Sequence, residues 1–201
     1  MKFYKKNLKK LIEGKAYNPS YEHDACGVGF VASTEGKKSR KIVEYGIKAL
    51  KALWHRGAID ADGKSGDGAG IHIEIPKDFF VERIQNAGRQ HEEGTICVGM
   101  IFLPRNDYVS QEKCKTIVEN ELLRKNYYVY RWRQVPVNTK VLGIKAESNR
   151  PEIVQVIFKP NNNNLNSDDL ERDLFVVRKK IEKQSNILKL KDFYISSFSS
   201  R

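Results

Sequence analysis

Apolar positions along the chain follow two periods, one typical of helices and one typical of strands. Apolar residues recur about every 3.6 residues, the helical period, in four windows: residues 39–57, 78–88, 110–126 and 170–184. Apolar, β-branched and aromatic residues predict six strands: residues 26–33, 71–76, 95–104, 127–137, 152–160 and 191–201. Because helices and strands do not alternate strictly, the pattern predicts antiparallel sheets with helices packed outside them, an α+β fold.

Individual residues mark where these elements begin or end. Gly57 is the predicted stop of the first helix, and Pro104 and Pro136 end two of the strands. Ser167 or Asp168 is the predicted N-cap of the last helix, because a short polar side chain there can accept a bond from the first free amides.

Residues 1–25 are predicted to be a separable leader, followed by one domain at 26–201. The leader combines a short amphipathic stretch, "FYKKNLKKLI", with the turn-rich "AYNPSYEHDA". It has a basic start but no apolar core of the secretory type. No apolar run approaches the roughly 20 residues that span a bilayer. We therefore expect a cytoplasmic protein without a membrane partner, and leave an organelle open as the alternative.

The net charge of +11 raises the alternative of a nucleic-acid-binding module. The basic residues are spread along the chain and interleaved with acidic ones, as in "DDLERDLFVVRKKIEK". Only "MKFYKKNLKK" is a basic cluster. A generally basic, solvated surface is therefore favoured, and no nucleic-acid partner is expected.

The chain has three cysteines, Cys26, Cys97 and Cys114, and four histidines. There is no CxxC pair and no histidine spacing of the metal-binding kind, so neither a disulfide framework nor a metal site is predicted. Cys97 and Cys114 fall within apolar periods and are predicted to be buried core residues.

The glycine-rich stretch "GAIDADGKSGDGAG" partly resembles the sequence patterns of a phosphate-binding loop and a calcium-binding loop but matches neither. Five residues rather than four separate Gly57 from Gly63, and a helix precedes them, so the segment is not a phosphate loop. Counted as a calcium loop from Asp60, it has Ser65 at the glycine position and Ile71 at the glutamate position. The remaining interpretation is a backbone that turns tightly and approaches another part of the protein closely.

Cys26 stands at the entrance of a predicted strand, between the polar "YEHDA" and the glycines at 27 and 29. A cysteine nucleophile needs a base, and no papain-type histidine arrangement is evident. Cleavage of the Ala25–Cys26 bond would free an α-amino group with a pKa near 7.7–8.0 beside the thiol. The residues thus suggest that Cys26 is a nucleophile that supplies its own base.

The segments "CGVGF" and "HRGAIDADGKSGDGAG" resemble the class II glutamine amidotransferase domain of glutamate synthases. The later segments "WRQVPVN", "RPEIVQVIF", "DLFVVRKKIE" and "FYISSFSSR" resemble the same subfamily. The resemblance covers about residues 17–201. It implies the N-terminal-nucleophile hydrolase fold, a four-layer αββα sandwich, incomplete at the C-terminal end of this chain.

The resemblance also implies a mechanism and a substrate, L-glutamine. Cys26, exposed by removal of the leader, would attack the side-chain amide, release ammonia and leave a thioester that water hydrolyses to glutamate. Arg56 in the "HRG" element is expected near the nucleophile. A structural salt bridge beneath the glycine-rich loop is an equally open role for Arg56.

Some parts of the family pattern are not found in this sequence. The family's oxyanion-hole Asn-Gly pair and its glutamine-gripping arginine and aspartate fall beyond position 201, and the chain contains no Asn-Gly dipeptide. We therefore expect the 201-residue chain alone to lack useful glutaminase activity.

The resemblance places the cofactors and protein partners outside this chain. FMN and an iron–sulfur cluster would belong to the full-length enzyme, together with the rest of the synthase chain and a small reductase subunit or ferredoxin. Three alternatives stay open: an amidotransferase serving a sugar phosphate or phosphoribosyl acceptor, a non-catalytic basic nucleic-acid-binding module, and a non-catalytic scaffold.

Overall fold

The structure is a computed structural model that describes residues 13, 27–53, 59–66, 68–91, 93–162 and 165–201. The chain divides into two compact units, residues 1–57 and 58–201. None of the described helices is both long and apolar enough to cross a bilayer.

The first unit contains helix α1, Arg40–Ala52, which confirms the predicted helix. Ser39 caps it, since its hydroxyl accepts a bond from the backbone N–H of Lys41 at 3.2 Å. The helix ends at Ala52, before the predicted stop at Gly57, which lies outside the described residues.

Residues 27–33 form no strand, so the prediction of a strand at 26–33 is wrong for the part that is described. The side chains of Val28 and Phe30 are 93% and 94% exposed. A strand is held by hydrogen bonds to a neighbouring strand, and no described residue pairs with this segment.

The described residues of the second unit form four α-helices and four strands. The helices are α2 (Lys77–Gln85), α3 (Tyr108–Arg124), α4 (Ile144–Ser148) and α5 (Ser167–Ile187). The strands are β1 (Cys97–Leu103), β2 (Tyr127–Gln134), β3 (Glu152–Pro160) and β4 (Tyr194–Ser199). These confirm the strands and long helices predicted beyond residue 77. A short 3₁₀ turn, Thr139–Val141, and α4 were not predicted.

The four strands form one antiparallel sheet in the order β2-β3-β1-β4. Register shifts interrupt the β1–β4 pairing at Met100/Ile101 and the β2–β3 pairing at Val129/Arg131. The antiparallel arrangement agrees with the prediction. The four-layer sandwich would need a second sheet, and the described residues form only this one.

Helices α3 and α5 cover one face of the sheet and enclose the main core. Alternate residues of β1 and β3 point to this face, including Ile101, Val156 and Phe158, all fully buried. At Gly99 a Cβ atom would stand 2.6 Å from the ring of Phe198 and 2.8 Å from Val156. Glycine is therefore required there by close packing.

A smaller core lies on the opposite face of the sheet, beneath α2. Its buried members are Ile75, Phe80, Ile84, Ile96, Val98, Tyr130 and Ile157. The preceding segment, 71–76, was predicted to be a strand and is not one. Ile71 and Ile73 are 47% and 44% exposed. As with residues 27–33, alternation of apolar residues does not make a strand without a partner.

The N-cap of α5 is Asn166, one residue before the two predicted candidates. Its side-chain oxygen accepts a bond from the backbone N–H of Asp169 at 2.8 Å. Asparagine caps a helix as well as serine or aspartate does. Three adjacent residues could therefore cap α5, and the sequence does not distinguish among them.

Candidate functional site

Both residues expected at the active site, Cys26 and Arg56, lie outside the described residues. The structure therefore places neither of them, and the site is described through the segments that follow each one. Gly27 comes directly after Cys26, and a Cβ atom there would meet Leu53 at an ordinary 3.6 Å. Gly29 has open space around it among the described residues. A Cβ atom at position 27 or 29 would therefore not clash with any described residue.

The best-defined feature that follows Arg56 in the sequence is a tight turn at residues 59–66, which we call the anchored turn. Ile59 and Gly66 pair as an isolated antiparallel bridge. Inside it, the N–H of Asp60 donates to the carbonyl of Ser65 at 2.8 Å, and Gly63 donates to Asp60 at 2.9 Å. Gly63 has φ +69°, which glycine adopts without strain. This confirms the prediction of a tightly turning backbone.

Asp62 is the hydrogen-bonding centre of the anchored turn. Its Oδ1 accepts from the backbone N–H groups of Ser65 at 2.7 Å and Lys64 at 3.0 Å. Its Oδ2 accepts from the hydroxyl of Ser65 at 2.5 Å. These bonds, that of the Ser65 hydroxyl above all, hold the pKa of Asp62 well below its usual range. Asp62 is therefore ionised at neutral pH.

The anchored turn packs against the start of α4, about eighty residues farther along the chain. The N–H of Ala146 donates to Ser65 Oγ at 3.0 Å, and that of Lys145 donates to Asp62 Oδ2 at 3.3 Å. Gly143 allows this contact, since a Cβ atom there would come within 2.5 Å of Ser65 Oγ. The close backbone approach expected of the glycine-rich stretch is thus an approach to Gly143.

Both carboxylates of the anchored turn are used by the protein itself. Asp60 forms an ion pair with Lys145 and accepts the N–H of Ala61 at 2.7 Å, while Asp62 binds amides and a hydroxyl. Among the described residues there is no group of three or more ligating side chains that could hold a metal ion. These bonds tie the turn to the start of α4 rather than to a ligand.

The two described cysteines are poor nucleophiles. Cys97 in β1 and Cys114 in α3 are fully buried, as predicted. Burial raises the pKa of Cys114 to about 11 and raises that of Cys97 further. The thiolate is the reactive form, so neither would react at neutral pH. Of the chain's cysteines, this leaves Cys26 as the candidate.

Sequence reasoning missed the residues that receive the anchored turn, Gly143 and Lys145. They belong to "VLGIKAES", which has no long apolar period. A glycine before a helix of five residues is a weak local signal. The contact joins distant segments, so no pattern within either one could reveal it.

Comparison with known proteins identifies the family. A family model described as class II glutamine amidotransferases matches residues 26–201. The large chain of an NADPH glutamate synthase of Azospirillum brasilense is 48% identical over 198 residues, which cover 98% of this chain and 13% of that protein. A ferredoxin-dependent glutamate synthase of Pyropia yezoensis is 42% identical over 182 residues, 89% of this chain and 12% of that protein.

A more distant relative extends the same result. The large chain of an NADPH glutamate synthase of Bacillus subtilis is 34% identical over 185 residues, 92% of this chain and 12% of that protein. The chain thus spans about one eighth of the length of these relatives. Since the family match runs from Cys26 through Arg201, the chain belongs to the class II glutamine amidotransferases.

Proposed function

We propose that this chain is the glutamine-hydrolysing part of a glutamate synthase. It would release ammonia from L-glutamine for the amination of 2-oxoglutarate elsewhere in the full-length enzyme. The observation that carries the proposal is the family match beginning on Cys26, together with 48% identity to a glutamate synthase large chain. The same matches give no support to a different acceptor or to nucleic-acid binding.

Cys26 is the proposed nucleophile, at the N-terminus of a chain from which residues 1–25 have been removed. Its α-amino group takes the thiol proton, and the thiolate sulfur attacks the amide carbon of glutamine. The α-ammonium then donates this proton to the amide nitrogen of the tetrahedral intermediate as the C–N bond breaks, so that ammonia leaves and a thioester remains. Water next attacks the thioester, which yields glutamate and restores the thiol. The burial of Cys97 and Cys114 supports this assignment.

Arg56 is the proposed substrate-binding residue. It lies three positions before the anchored turn in the sequence. Its guanidinium group could pair with a carboxylate of the substrate. A salt bridge that supports the turn is the other role open to Arg56.

The domain boundaries and the complete sandwich also belong to the proposal. The leader would be residues 1–25 and the catalytic domain 26–201, in agreement with the start of the family match. The four-layer sandwich would need a second sheet in addition to the one that the described residues form. Exposed apolar side chains such as Phe30 support this, because packed sheets bury such residues.

FMN and an iron–sulfur cluster are proposed for the rest of the full-length enzyme, where they would supply the electrons for reductive amination. The donor set of this chain does not fit a cluster. Iron–sulfur clusters are typically held by about four cysteine thiolates, whereas this chain has three cysteines, two of them in the core. No step of glutamine hydrolysis depends on either cofactor.

The proposed partners are the remaining synthase chain and an electron donor, either a small reductase subunit or ferredoxin. Relatives with NADPH and with ferredoxin in their names match this chain at similar length. The proposed compartment is the cytoplasm, with an organelle as the alternative.

The test is covalent labelling of the full-length protein that carries this chain by diazo-oxo-norleucine, a glutamine-like electrophile. We expect a mature chain that begins at Cys26 and carries one label there. Cys26→Ser should abolish labelling and ammonia release, while Cys114→Ala, the matched cysteine control, should leave the label in place. A chain that keeps Met1 to Ala25 and is labelled at another residue would contradict the proposal.

A second measurement concerns the isolated 201-residue chain, which contains no Asn-Gly dipeptide. Loss of one oxyanion-hole donor typically lowers kcat by about 10²–10³-fold. We expect ammonia release by the isolated chain to be lower than that of the full-length protein by at least that factor. Equal rates would show that the oxyanion is stabilised by residues within this chain.

A further inference from the structure

Three arginines, Arg83, Arg131 and Arg133, lie on the sheet face that α2 covers. Arg83 lies on α2, and Arg131 and Arg133 lie two residues apart on β2. Arg131 Nη1 donates to the backbone carbonyl of Arg83 at 2.9 Å, which joins the strand to the helix. The guanidinium carbons of Arg83 and Arg133 lie 4.9 and 5.2 Å from the centroid of the same ring, that of Phe79.

These arginines have little negative charge around them. The nearest paired carboxylate, Glu82, stands 3.7 Å from Arg83 Nη1, beyond hydrogen-bonding range. Arg131 and Arg133 form no ion pair with any carboxylate in the described part of the chain. Burial, followed by the charges of Arg83 and Arg131, lowers the pKa of Arg133. An anion bound between them would relieve this repulsion.

The same side chains have unused hydrogen-bond donors. A guanidinium group carries five N–H bonds. Arg133 uses Nη1 to reach Gln155 Oε1 at 2.7 Å, and Arg131 reaches two backbone carbonyls. Arg83 donates to no acceptor among the described residues, and its Nε is buried. Buried N–H groups are rarely left without a partner, so this one indicates an acceptor that comes from elsewhere.

We propose that Arg83, Arg131 and Arg133 form a binding site for a small oxyanion, the carboxylate or phosphate group of a solute. The planar guanidinium fork matches two oxygens of such a group. The Phe79 ring contacts two of the three cations, those of Arg83 and Arg133. Arg83 is 39% exposed, so a solute can reach the site. The proposal is independent of glutamine hydrolysis.

The test is the thermal unfolding midpoint of the 201-residue chain in inorganic phosphate, compared with sodium chloride at equal ionic strength. Phosphate at about twenty times its Kd should raise the midpoint by about 4–7 °C over chloride. Citrate is the parallel probe for a carboxylate. A rise with either anion supports the site, and the larger rise identifies the preferred group.

Three variants decide whether the effect arises at this site. Arg83→Gln and Arg133→Gln should each abolish the anion-specific rise. Arg172→Gln is the matched control, because it removes one positive charge from an 81% exposed position on α5 and should keep the rise. Phosphorus NMR line broadening by the folded variants at 20 °C gives a readout that does not depend on unfolding.

Three results would overturn the proposal. They are the absence of any rise beyond that in chloride, a full rise in both Arg83→Gln and Arg133→Gln, and an equal loss in Arg172→Gln. The last would mean that the anions act on the overall positive charge rather than on these side chains.

Discussion

Strand β1 and residues 71–75 are both rich in apolar side chains, yet the first is paired and buried and the second is unpaired and partly exposed. β1 lies between β3 and β4, and its Ile101 and Leu103 are fully buried. Residues 71–75 have no neighbouring strand among the described residues, and Ile71 and Ile73 are about half exposed. Strand formation thus follows from a hydrogen-bonded partner strand more than from the apolar pattern.

The largest expected effect comes from truncating one phenylalanine in a paired strand, β3, and one in another unpaired segment, residues 27–33. Phe158→Ala in β3 should lower the free energy of unfolding by about 3–5 kcal/mol, because Phe158 is fully buried against Tyr127 and Phe198. Phe30→Ala should change it by no more than about 0.5 kcal/mol, since Phe30 is 94% exposed. Urea unfolding followed by circular dichroism measures both.

The comparison would be broken by a large loss in Phe30→Ala. That result would mean that residues 27–33 are buried in solution, for instance in a second sheet. In the full-length protein, where we propose such a sheet, the same variant should become costly. The difference between the loss of stability in the isolated chain and that in the full-length protein therefore measures whether Phe30 becomes buried when a second sheet forms.

A second contrast lies between glycines that are required and glycines that are not. Gly143→Ala should lower the free energy of unfolding by about 1–3 kcal/mol, because its Cβ would collide with Asp62 and Ser65 of the anchored turn. Gly46→Ala is the matched control inside α1, where no atom lies within 4 Å of the new Cβ. It should stabilise the helix by about 0.5–1 kcal/mol.

The sign of the change in the free energy of unfolding distinguishes the two glycines. If Gly143→Ala were neutral, the turn would not pack against α4 in solution. If both variants had a lower free energy of unfolding, the cause would be the backbone conformation at each glycine rather than a steric contact at Gly143.

The smallest expected effect is a change in pH dependence. The lowered pKa of Asp62 means that its bonds contribute stability above the unfolded-state pKa, about 3.9, and that this contribution is lost as the pH falls toward the folded value. Asp62→Asn should therefore be less stable than the wild type at pH 6, and the difference should shrink below about pH 4.

Urea unfolding at a series of pH values between 6 and 2 measures that difference. Asp78→Asn, which removes a carboxylate from the first turn of α2, controls for the change in overall charge. A gap between wild type and Asp62→Asn that stays constant over the range would contradict the role assigned to Asp62.

The long periodic elements of the fold were predictable from the sequence, and the contacts between them were not. Pro104 marked the end of β1, and the apolar periods located α3 and α5, because each signal lies within one element. The strands expected at 26–33 and 71–76 depend on partners that no local pattern specifies.

The candidate site, like the fold, was predictable only where the signal lies within one segment of the sequence. Cys26 stood out because of its neighbours in sequence, and the burial of Cys97 and Cys114 followed from their apolar periods. The glycine-rich stretch showed that the backbone must approach something, but not that the neighbour is Gly143. Bonds such as that from Ala146 to Ser65 are set by tertiary packing, which single-sequence reasoning does not reach.

The strand order has a consequence for synthesis. β1 is an inner strand, yet one of its two neighbours, β4, is made roughly ninety residues later. At about 5–20 residues per second, the ribosome needs roughly 5 to 18 seconds to pass from one to the other. During that interval one edge of β1 has no partner, so the nascent chain exposes a strand edge of the kind that chaperones protect from aggregation.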